Sequence, residues 1–122
     1  MDKVLVVDDD QDILSVVKIL LTMHHFAVHT ISKPELIRNE IENFSPDLIL
    51  LDISLGGVDG RKICKELKSS DKTSGTPVVL FSAHPDLANN LMGCMANDIV
   101  TKPFDSGNLV ATLRANLANR SN

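Results

Sequence analysis

The sequence predicts an α/β fold, a doubly wound parallel sheet with helices on both faces, from three observations. Five short apolar runs alternate with longer segments of helical period, which indicates strands joined by helical crossovers. Residues 48–51 and 78–81 are apolar on both alternating faces, which is typical of central strands covered on both sides. The length of 122 residues fits one domain.

The five predicted strands are the apolar runs themselves. They cover residues 3–7, 26–31, 47–51, 77–81 and 98–101. In a parallel sheet of this kind the carboxyl ends of the strands meet at one edge, where ligands bind. The residues that directly follow each strand are therefore the candidates for a functional site.

Five helices are predicted between and after the strands, because apolar residues recur there at three- and four-residue spacing. In chain order they are an apolar stripe at 13–21, a segment from near Ser32 to Ser45, a segment after Gly60, about residues 86–95, and an apolar stripe at 109–117. The fourth is the least regular, since Asn89, Asn90 and Gly93 are poor helix formers. Asp10 or Asp12 is expected to cap the first helix.

The composition excludes several classes of function. Twelve Lys+Arg against sixteen Asp+Glu give a net charge of -4, and such a mildly acidic surface predicts no direct binding of nucleic acid or of an anionic membrane. The sequence contains no secretory signal and no uninterrupted apolar run of about 18 residues. Cys64 and Cys94 form no CxxC pair. We therefore expect a cytoplasmic protein with both thiols reduced.

The candidate site residues follow the first, third, fourth and fifth predicted strands. Asp8 and Asp9 follow the first strand, Asp52 the third, Ser82 the fourth and Lys102 the fifth. Carboxylates that share a crevice repel one another unless a cation compensates, and carboxylate oxygens are ligands that Mg²⁺ prefers. The sequence therefore predicts that the three aspartates hold a divalent cation, with the Lys102 ammonium beside them.

Ser82 and Lys102 indicate that the same crevice binds a doubly charged oxyanion. A hydroxyl and an ammonium are suitable partners for phosphoryl oxygens. The sequence contains neither GxxxxGK[ST] nor GxGxxG, so a bound nucleotide is not the expected source of that group. The remaining option is a protein carboxylate that takes the phosphoryl group as nucleophile. Asp52 is the natural choice, because it lies at the end of the central strand.

Four short motifs lie at the ends of predicted strands. They are Val6-Val7-Asp8-Asp9, then Leu50-Leu51-Asp52-Ile53-Ser54-Leu55 with Asp59-Gly60, then Ser82-Ala83, and finally Thr101-Lys102-Pro103-Phe104. With these motifs in this order, the chain resembles the receiver (response regulatory) domain of two-component response regulators over essentially its whole length. The resemblance implies a flavodoxin-like sheet of order 2-1-3-4-5. It also implies one receiver domain over residues 1–122, without an effector domain.

The resemblance implies a phospho-acceptor and a set of metal ligands. Asp52 is similar to the acceptor, which receives the phosphoryl group from a histidine kinase or a histidine phosphotransfer protein. Asp9 resembles the direct Mg²⁺ ligand beside Asp52, and the backbone carbonyl of Ser54 resembles the third protein ligand. Asp8 is similar to an aspartate that acts through a metal-bound water.

The resemblance also implies how the chain switches. Ser82 resembles the hydroxyl that turns toward the phosphoryl oxygen, and Lys102 resembles the cation that pairs with it, followed by a cis bond to Pro103. The implied protein is a signalling module that changes its binding to a downstream protein or effector domain. Its only catalysis is its own phosphorylation and dephosphorylation, so it is not expected to be an enzyme.

Two positions depart from the family's pattern. Ile99 lies where the family usually has Tyr or Phe, whose rotation reports phosphorylation. Either Ile99 stays packed in both states, or the signal travels through a backbone shift of the loops at Ser82 and Lys102. Leu55-Gly56-Gly57 replaces the usual turn with Met-Pro, which predicts a looser loop with unchanged chemistry, because glycine reaches positive φ.

Two other functions stay open from the residues. A degenerate receiver would be a protein-binding scaffold without phosphorylation, which the missing aromatic and the double glycine favour. A phosphohydrolase of the haloacid-dehalogenase type would use Asp8-Asp9-Asp10 as its Asp-x-Asp pair. Against that class, Asp12 lies where Thr or Val is expected, and 122 residues leave no room for a cap domain.

Overall fold

A five-stranded parallel sheet forms the centre of the molecule, for which the computed structural model describes residues 1–83 and 91–119. The strands are β1 Lys3–Val7, β2 Ala27–Ile31, β3 Leu48–Asp52, β4 Val78–Ser82 and β5 Asp98–Thr101. Their order is β2-β1-β3-β4-β5, which confirms the predicted doubly wound sheet. β3 and β4 lie one residue later than predicted, because pairing continues to Asp52 opposite Phe81 and to Ser82 opposite Thr101. β2 ends as predicted but begins one residue later, at Ala27.

Helices cover both faces of the sheet. In the described part of the chain they are α1 Gln11–Met23, α2 Ile37–Phe44, α3 Gly60–Ser69, α4 Leu91–Cys94 and α5 Ser106–Ala118. Because α4 has only four residues, four of these helices are eight residues or longer. Residues 86–90 of the predicted fourth helix lie outside the described residues. Across the ranges 1–83 and 91–119, no helix has the length and apolar character needed to cross a bilayer.

The second helix begins later than the sequence predicts. Pro34–Leu36 forms a 3₁₀ turn, and α2 itself begins only at Ile37. Proline suits the first turn of a helix, where its missing N–H leaves no bond unmade. The helix ends as predicted, with Ser45 in the left-handed conformation at φ 52° directly before Pro46.

The sheet separates two apolar layers, and β1 contributes to both. Val4 and Val6 pack in the layer with α1 and α5, whereas Leu5 and Val7 pack in the layer with α2 and α3. Every residue of β3 and of β4 is buried, as expected of strands covered on both sides. This two-sided packing gives the residues at the carboxyl ends of β3 and β4 a rigid support.

Aspartates begin three of the helices. Asp10 caps α1 by accepting the Asp12 N–H at 2.9 Å and the Ile13 N–H at 3.4 Å. Asp59 caps α3, and Asp105 caps α5. The cap predicted for Asp10 or Asp12 is thus Asp10, while Asp12 lies in the first turn. Because Asp10 has this structural role, Asp8 and Asp9 are the aspartates after β1 that remain for the site.

Candidate functional site

The predicted site residues converge at the carboxyl edge of the sheet. Asp8 follows β1, Asp52 ends β3, Ser82 ends β4 and Lys102 follows β5. The backbone N–H of Lys102 donates to the carbonyl of Ser82 at 2.7 Å, which joins the last two strands at this edge. Asp8, Asp52 and Ser82 are only 0%, 5% and 2% exposed. Because isolated buried charges are costly, polar side chains buried this deeply at one edge of the sheet indicate a functional site.

Asp8, Asp9 and Asp52 form a cluster of three carboxylates. One oxygen from each lies within 4.8 Å of the oxygens from the other two. Asp9 is exposed while the other two are buried, so the cluster opens to solvent on the side of Asp9. Three carboxylates are an all-oxygen donor set of the kind that a hard divalent cation prefers. The residues present therefore fit Mg²⁺.

Backbone groups orient the two buried carboxylates. The Asp10 N–H donates to Asp8 Oδ1 at 3.0 Å, and the Ser54 N–H donates to Asp52 Oδ1 at 3.3 Å. In each case the donor is two residues beyond the aspartate, so the chain folds back directly after the strand. One oxygen of each carboxylate is held in this way, and its Oδ2 atom faces the lysine.

Lys102 brings a positive charge into contact with both buried carboxylates. Its Nζ lies 2.7 Å from Asp8 Oδ2 and 3.5 Å from Asp52 Oδ2, and its side chain is 14% exposed. The ammonium also lies over the Phe81 ring, 4.7 Å from the ring centroid, which is a favourable cation–π distance. The bond from Lys102 to Pro103 is cis, as the resemblance implied.

The pKa of Asp52 is raised from 3.8 to about 6. Burial is the largest cause, and the negative charge of Asp8 adds to it. The Lys102 ammonium and the Ser54 N–H oppose the rise but do not cancel it. Two buried carboxylates facing one ammonium thus leave excess negative charge in a poorly hydrated place, which a bound cation would relieve.

Gly60 lies directly against the backbone at the end of β3. A Cβ atom at this position would lie 2.0 Å from the Asp52 carbonyl oxygen and 2.9 Å from its carbonyl carbon. The Gly60 N–H donates to the Ile53 carbonyl at 2.6 Å. The start of α3 therefore lies against the backbone of the residue at the centre of the site, and no larger side chain fits between them.

A two-stranded hairpin, which the sequence did not predict, follows β3. Ser54–Leu55 pairs with Val58–Asp59, and the turn uses Gly56 at φ 53° and Gly57 at φ 90°. The Gly56 N–H donates to Asp9 Oδ2 at 3.1 Å, so this turn orients the third carboxylate. Adjacent glycines after a strand were the available signal for such a turn.

Two further residues singled out from the sequence have clear places. Ser54 has an exposed side chain, and its contribution to the site in this structure is its backbone N–H. Ile99 is partly buried against the layer of α2 and α3 and pairs with Leu80 in the sheet. Ile99 is therefore packed in this structure, as both hypotheses for this residue expect.

The fold and this arrangement of carboxylates and lysine define the class of protein. The family model of the response regulator receiver domain matches residues 4–114, and the chain belongs to that family. Receiver domains are signalling modules of two-component systems. The fold and the family predicted from the sequence are thereby confirmed.

Several response regulators and receiver domains are similar to this chain in sequence or structure. The nisin biosynthesis regulatory protein NisR of Lactococcus lactis subsp. lactis is 40% identical over 94% of this chain and 50% of NisR. The DNA-binding response regulator MtrA of Mycolicibacterium smegmatis is 34% identical over 94% of this chain and 50% of MtrA. The crystal structure of an N-terminal signal receiver domain of a response regulator from Bacteroides fragilis is similar with a TM-score of 0.85 at 31% identity, covering 96% of this chain and 97% of that one. The chain thus spans about half the length of NisR and MtrA.

Proposed function

We propose that Asp52 accepts a phosphoryl group from a histidine kinase or a histidine phosphotransfer protein in a Mg²⁺-dependent reaction. The observation that supports this most directly is the position of Asp52, which forms a cluster with the Asp8 and Asp9 carboxylates and lies 3.5 Å from the Lys102 ammonium. Phosphorylation then changes the binding of a downstream protein or effector domain. Residues 1–122 act as the receiver unit, and they act in the cytoplasm.

Asp52 is the nucleophile of the proposed transfer. One of its carboxylate oxygens forms a bond to phosphorus, while the bond from phosphorus to the leaving atom of the donor breaks. The product is an acyl phosphate on Asp52. A pKa of about 6 leaves the carboxylate ionised at neutral pH, as attack requires, and the Ser54 N–H holds its orientation at 3.3 Å.

Lys102 and Ser82 receive the charge that the phosphoryl group adds. The Lys102 ammonium is already 3.5 Å from the acceptor oxygen, so it pairs with a phosphoryl oxygen after a small movement of a flexible side chain. Ser82 ends the neighbouring strand at the same edge, and its hydroxyl donates to another phosphoryl oxygen. These two contacts with the phosphoryl oxygens shift the loops after β4 and β5, and the shift of the loops changes the surface that a partner binds.

The acidic cluster holds the metal. Asp9, Asp52 and the backbone carbonyl of Ser54 would be the direct ligands, and Asp8 would act through a water. When bound, Mg²⁺ supplies positive charge to the phosphoryl oxygens during transfer. The Gly56 N–H orients the Asp9 carboxylate through a hydrogen bond of 3.1 Å. The Asp10 N–H orients the Asp8 carboxylate through a hydrogen bond of 3.0 Å.

The intact mass of the chain after incubation with a small phosphodonor and Mg²⁺ tests the proposal. The expected result is a gain of one phosphoryl group that disappears with a chelator and in Asp52→Asn. Asp10→Asn is the matched control, because this neighbouring aspartate caps α1 and lies outside the cluster. Asparagine keeps the cap, so this variant gains the group like the parent chain. A gain that survives in Asp52→Asn contradicts the choice of acceptor.

The same experiment separates the two alternatives. No gain in mass, together with no binding of beryllofluoride, would indicate a degenerate scaffold. Turnover of a chromogenic phosphate ester that is lost in Asp8→Ala but kept in Asp52→Ala would indicate a phosphohydrolase. Against the phosphohydrolase, Asp8 is 0% exposed and lies 2.7 Å from Lys102, which leaves it poorly placed as a nucleophile.

We also propose that this chain by itself does not bind nucleic acid. MtrA is named as a DNA-binding regulator, but this chain matches only half of it. The net charge of -4 gives the receiver unit no electrostatic attraction for a phosphate backbone.

A further inference from the structure

An open cleft of about 660 Å³ runs between α2 and α3, on the face of the sheet away from α1 and α5. Its floor is apolar. Ile37 and Leu67 are buried there, Ile41 and Ile63 are partly buried, and Val58 at one end is 41% exposed. The site at Asp52 does not include these residues.

Charged residues line the cleft in bands of alternating sign. α2 and α3 run in the same direction, because each follows a strand of the parallel sheet. Arg38 and Lys62 lie in the first turns of the two helices, and each is followed four residues later by a glutamate. Starting from the carboxyl edge of the sheet, the bands are Glu35, then Arg38 with Lys62, then Glu42 with Glu66, then Lys72.

These charged side chains form no salt bridge with another side chain in the described part of the molecule. All six are exposed. The salt bridges found within residues 1–83 and 91–119 involve none of them. A cleft with an apolar floor and unpaired charges of both signs on its walls is suited to a partner whose charges alternate in the complementary order.

We propose that this cleft is an interface between two copies of the chain, related by a two-fold axis that crosses the cleft between its two central bands. Read from one end, the bands are negative, positive, negative and positive; read from the other end, every sign is reversed. A second copy laid face to face in the opposite direction therefore places Arg38 opposite Glu42 of the second copy. In the same way it places Lys62 opposite Glu66 of the second copy.

The bands also decide the orientation of the second copy. A two-fold axis along the cleft would place Arg38 of one copy at the level of Lys62 of the other, and glutamate opposite glutamate. Such like-charge contacts are unfavourable. The antiparallel arrangement instead puts Ile41 and Ile63 near the axis with charges around them, which is the usual division into an apolar centre and a polar rim.

The size of the cleft predicts a weak dimer. Helices of eight and ten residues are about 12 and 15 Å long, so the contact is smaller than the roughly 800 Å² per partner of a standard interface. We expect a dissociation constant on the order of 10⁻⁴ M. The bands lie near the surface, so the association weakens at high salt.

Sedimentation equilibrium of the full chain, from micromolar to millimolar concentration, tests the proposal. Arg38→Glu places glutamate opposite Glu42 of the second copy, and we expect dimerisation at least about tenfold weaker. Arg38→Glu with Glu42→Arg exchanges both charges and restores association to near the parent value. Lys18→Glu is the matched control, because it makes the same change of charge at an exposed position of α1, on the opposite face of the sheet.

Three results would overturn the proposal. The parent chain could stay monomeric at millimolar concentration, or Lys18→Glu could weaken association as much as Arg38→Glu does. The double exchange could also fail to restore it while circular dichroism shows an intact fold. The test involves no residue of the Asp52 site, so its outcome is independent of the proposed phosphorylation.

Discussion

Removing the charge of Asp52 is expected to stabilise the metal-free chain. The carboxylate is 5% exposed, and its pKa is raised to about 6 by burial and by the charge of Asp8. Asparagine has the same shape, accepts the Ser54 N–H and carries no charge to desolvate. Asp52→Asn therefore keeps the packing and removes an unfavourable electrostatic contribution to the folded state.

The size of the effect follows from the pKa. A rise from 3.8 to about 6 corresponds to about 3 kcal/mol lost from the folded state at neutral pH. The new amide needs hydrogen-bond partners of its own, which costs about 1–3 kcal/mol and leaves a net gain of about 0–2 kcal/mol. Because the folded-state pKa is the higher one, the folded chain binds more protons than the unfolded chain between these values. The loss of stability is therefore complete above about pH 6, shrinks as the pH falls, and vanishes below 3.8.

Urea unfolding followed by far-ultraviolet circular dichroism measures this difference, since the chain has no Trp or Tyr for fluorescence. Parent and Asp52→Asn are compared in a chelator at pH 7.5 and at pH 4. Asp71→Asn is the control, because it neutralises an exposed aspartate and is expected to change the free energy of unfolding by less than about 0.5 kcal/mol.

Mg²⁺ is expected to reduce the advantage of Asp52→Asn. At about 100 times its dissociation constant, Mg²⁺ bound at the proposed site would stabilise the parent chain by about 2.7 kcal/mol, and Asp52→Asn, which lacks one of the proposed ligands, is expected to gain less. The reasoning is refuted if Asp52→Asn is less stable than the parent in chelator at pH 7.5. It is equally refuted if the advantage of Asp52→Asn is as large at pH 4 as at pH 7.5.

Three other substitutions test the supports of the site, each by urea unfolding. Gly60→Ala places a Cβ 2.0 Å from the Asp52 carbonyl oxygen and should lower the free energy of unfolding by about 1–3 kcal/mol or more. The control is Gly107→Ala, whose Cβ has no contact closer than 3.9 Å and which should instead stabilise α5 by about 0.5–1 kcal/mol. Equal effects of the two substitutions would contradict the close approach at Gly60. Asp10→Ala removes the cap of α1 and should cost about 1 kcal/mol, while Asp10→Asn should cost almost nothing. Lys102→Gln leaves Asp8 buried without its ion-pair partner and should lower the free energy of unfolding by about 3–5 kcal/mol in chelator. Part of this loss should be recovered in Mg²⁺. An unchanged free energy of unfolding in chelator would show that the ion pair at 2.7 Å contributes no stability.

The fold could be predicted from the sequence because a strand that is buried on both faces of the sheet has apolar residues at consecutive positions. Residues 48–51 and 78–81 are apolar at every position, and few arrangements other than the centre of a covered parallel sheet bury such runs. The start of the second helix was harder to predict. Pro34 permits a helical turn but not a particular kind, and the 3₁₀ turn at Pro34–Leu36 depends on how α2 packs, which the local pattern does not contain.

The composition of the site could also be predicted, but its internal contacts could not. Asp8, Asp52 and Lys102 each follow a strand, and the topology alone brings strand ends together. Which carboxylate pairs most closely with the lysine depends on ångström-scale differences in position, and Lys102 lies 2.7 Å from Asp8 but 3.5 Å from Asp52. The contact of Gly60 with the Asp52 backbone likewise needs the position of α3, which follows from packing and not from spacing.

The double glycine shows why a departure from a family's pattern cannot be judged from conformational freedom alone. The sequence suggested only a looser loop at Leu55-Gly56-Gly57. In the structure the turn is used to bring the Gly56 N–H to 3.1 Å from Asp9, and the proline that the family usually has there carries no N–H to donate. Donors behind a metal ligand restrict its orientation and tune its basicity. This chain therefore has one more group that orients the exposed carboxylate of its acidic cluster, and the backbone freedom of glycine at φ 53° is what allows that bond to form.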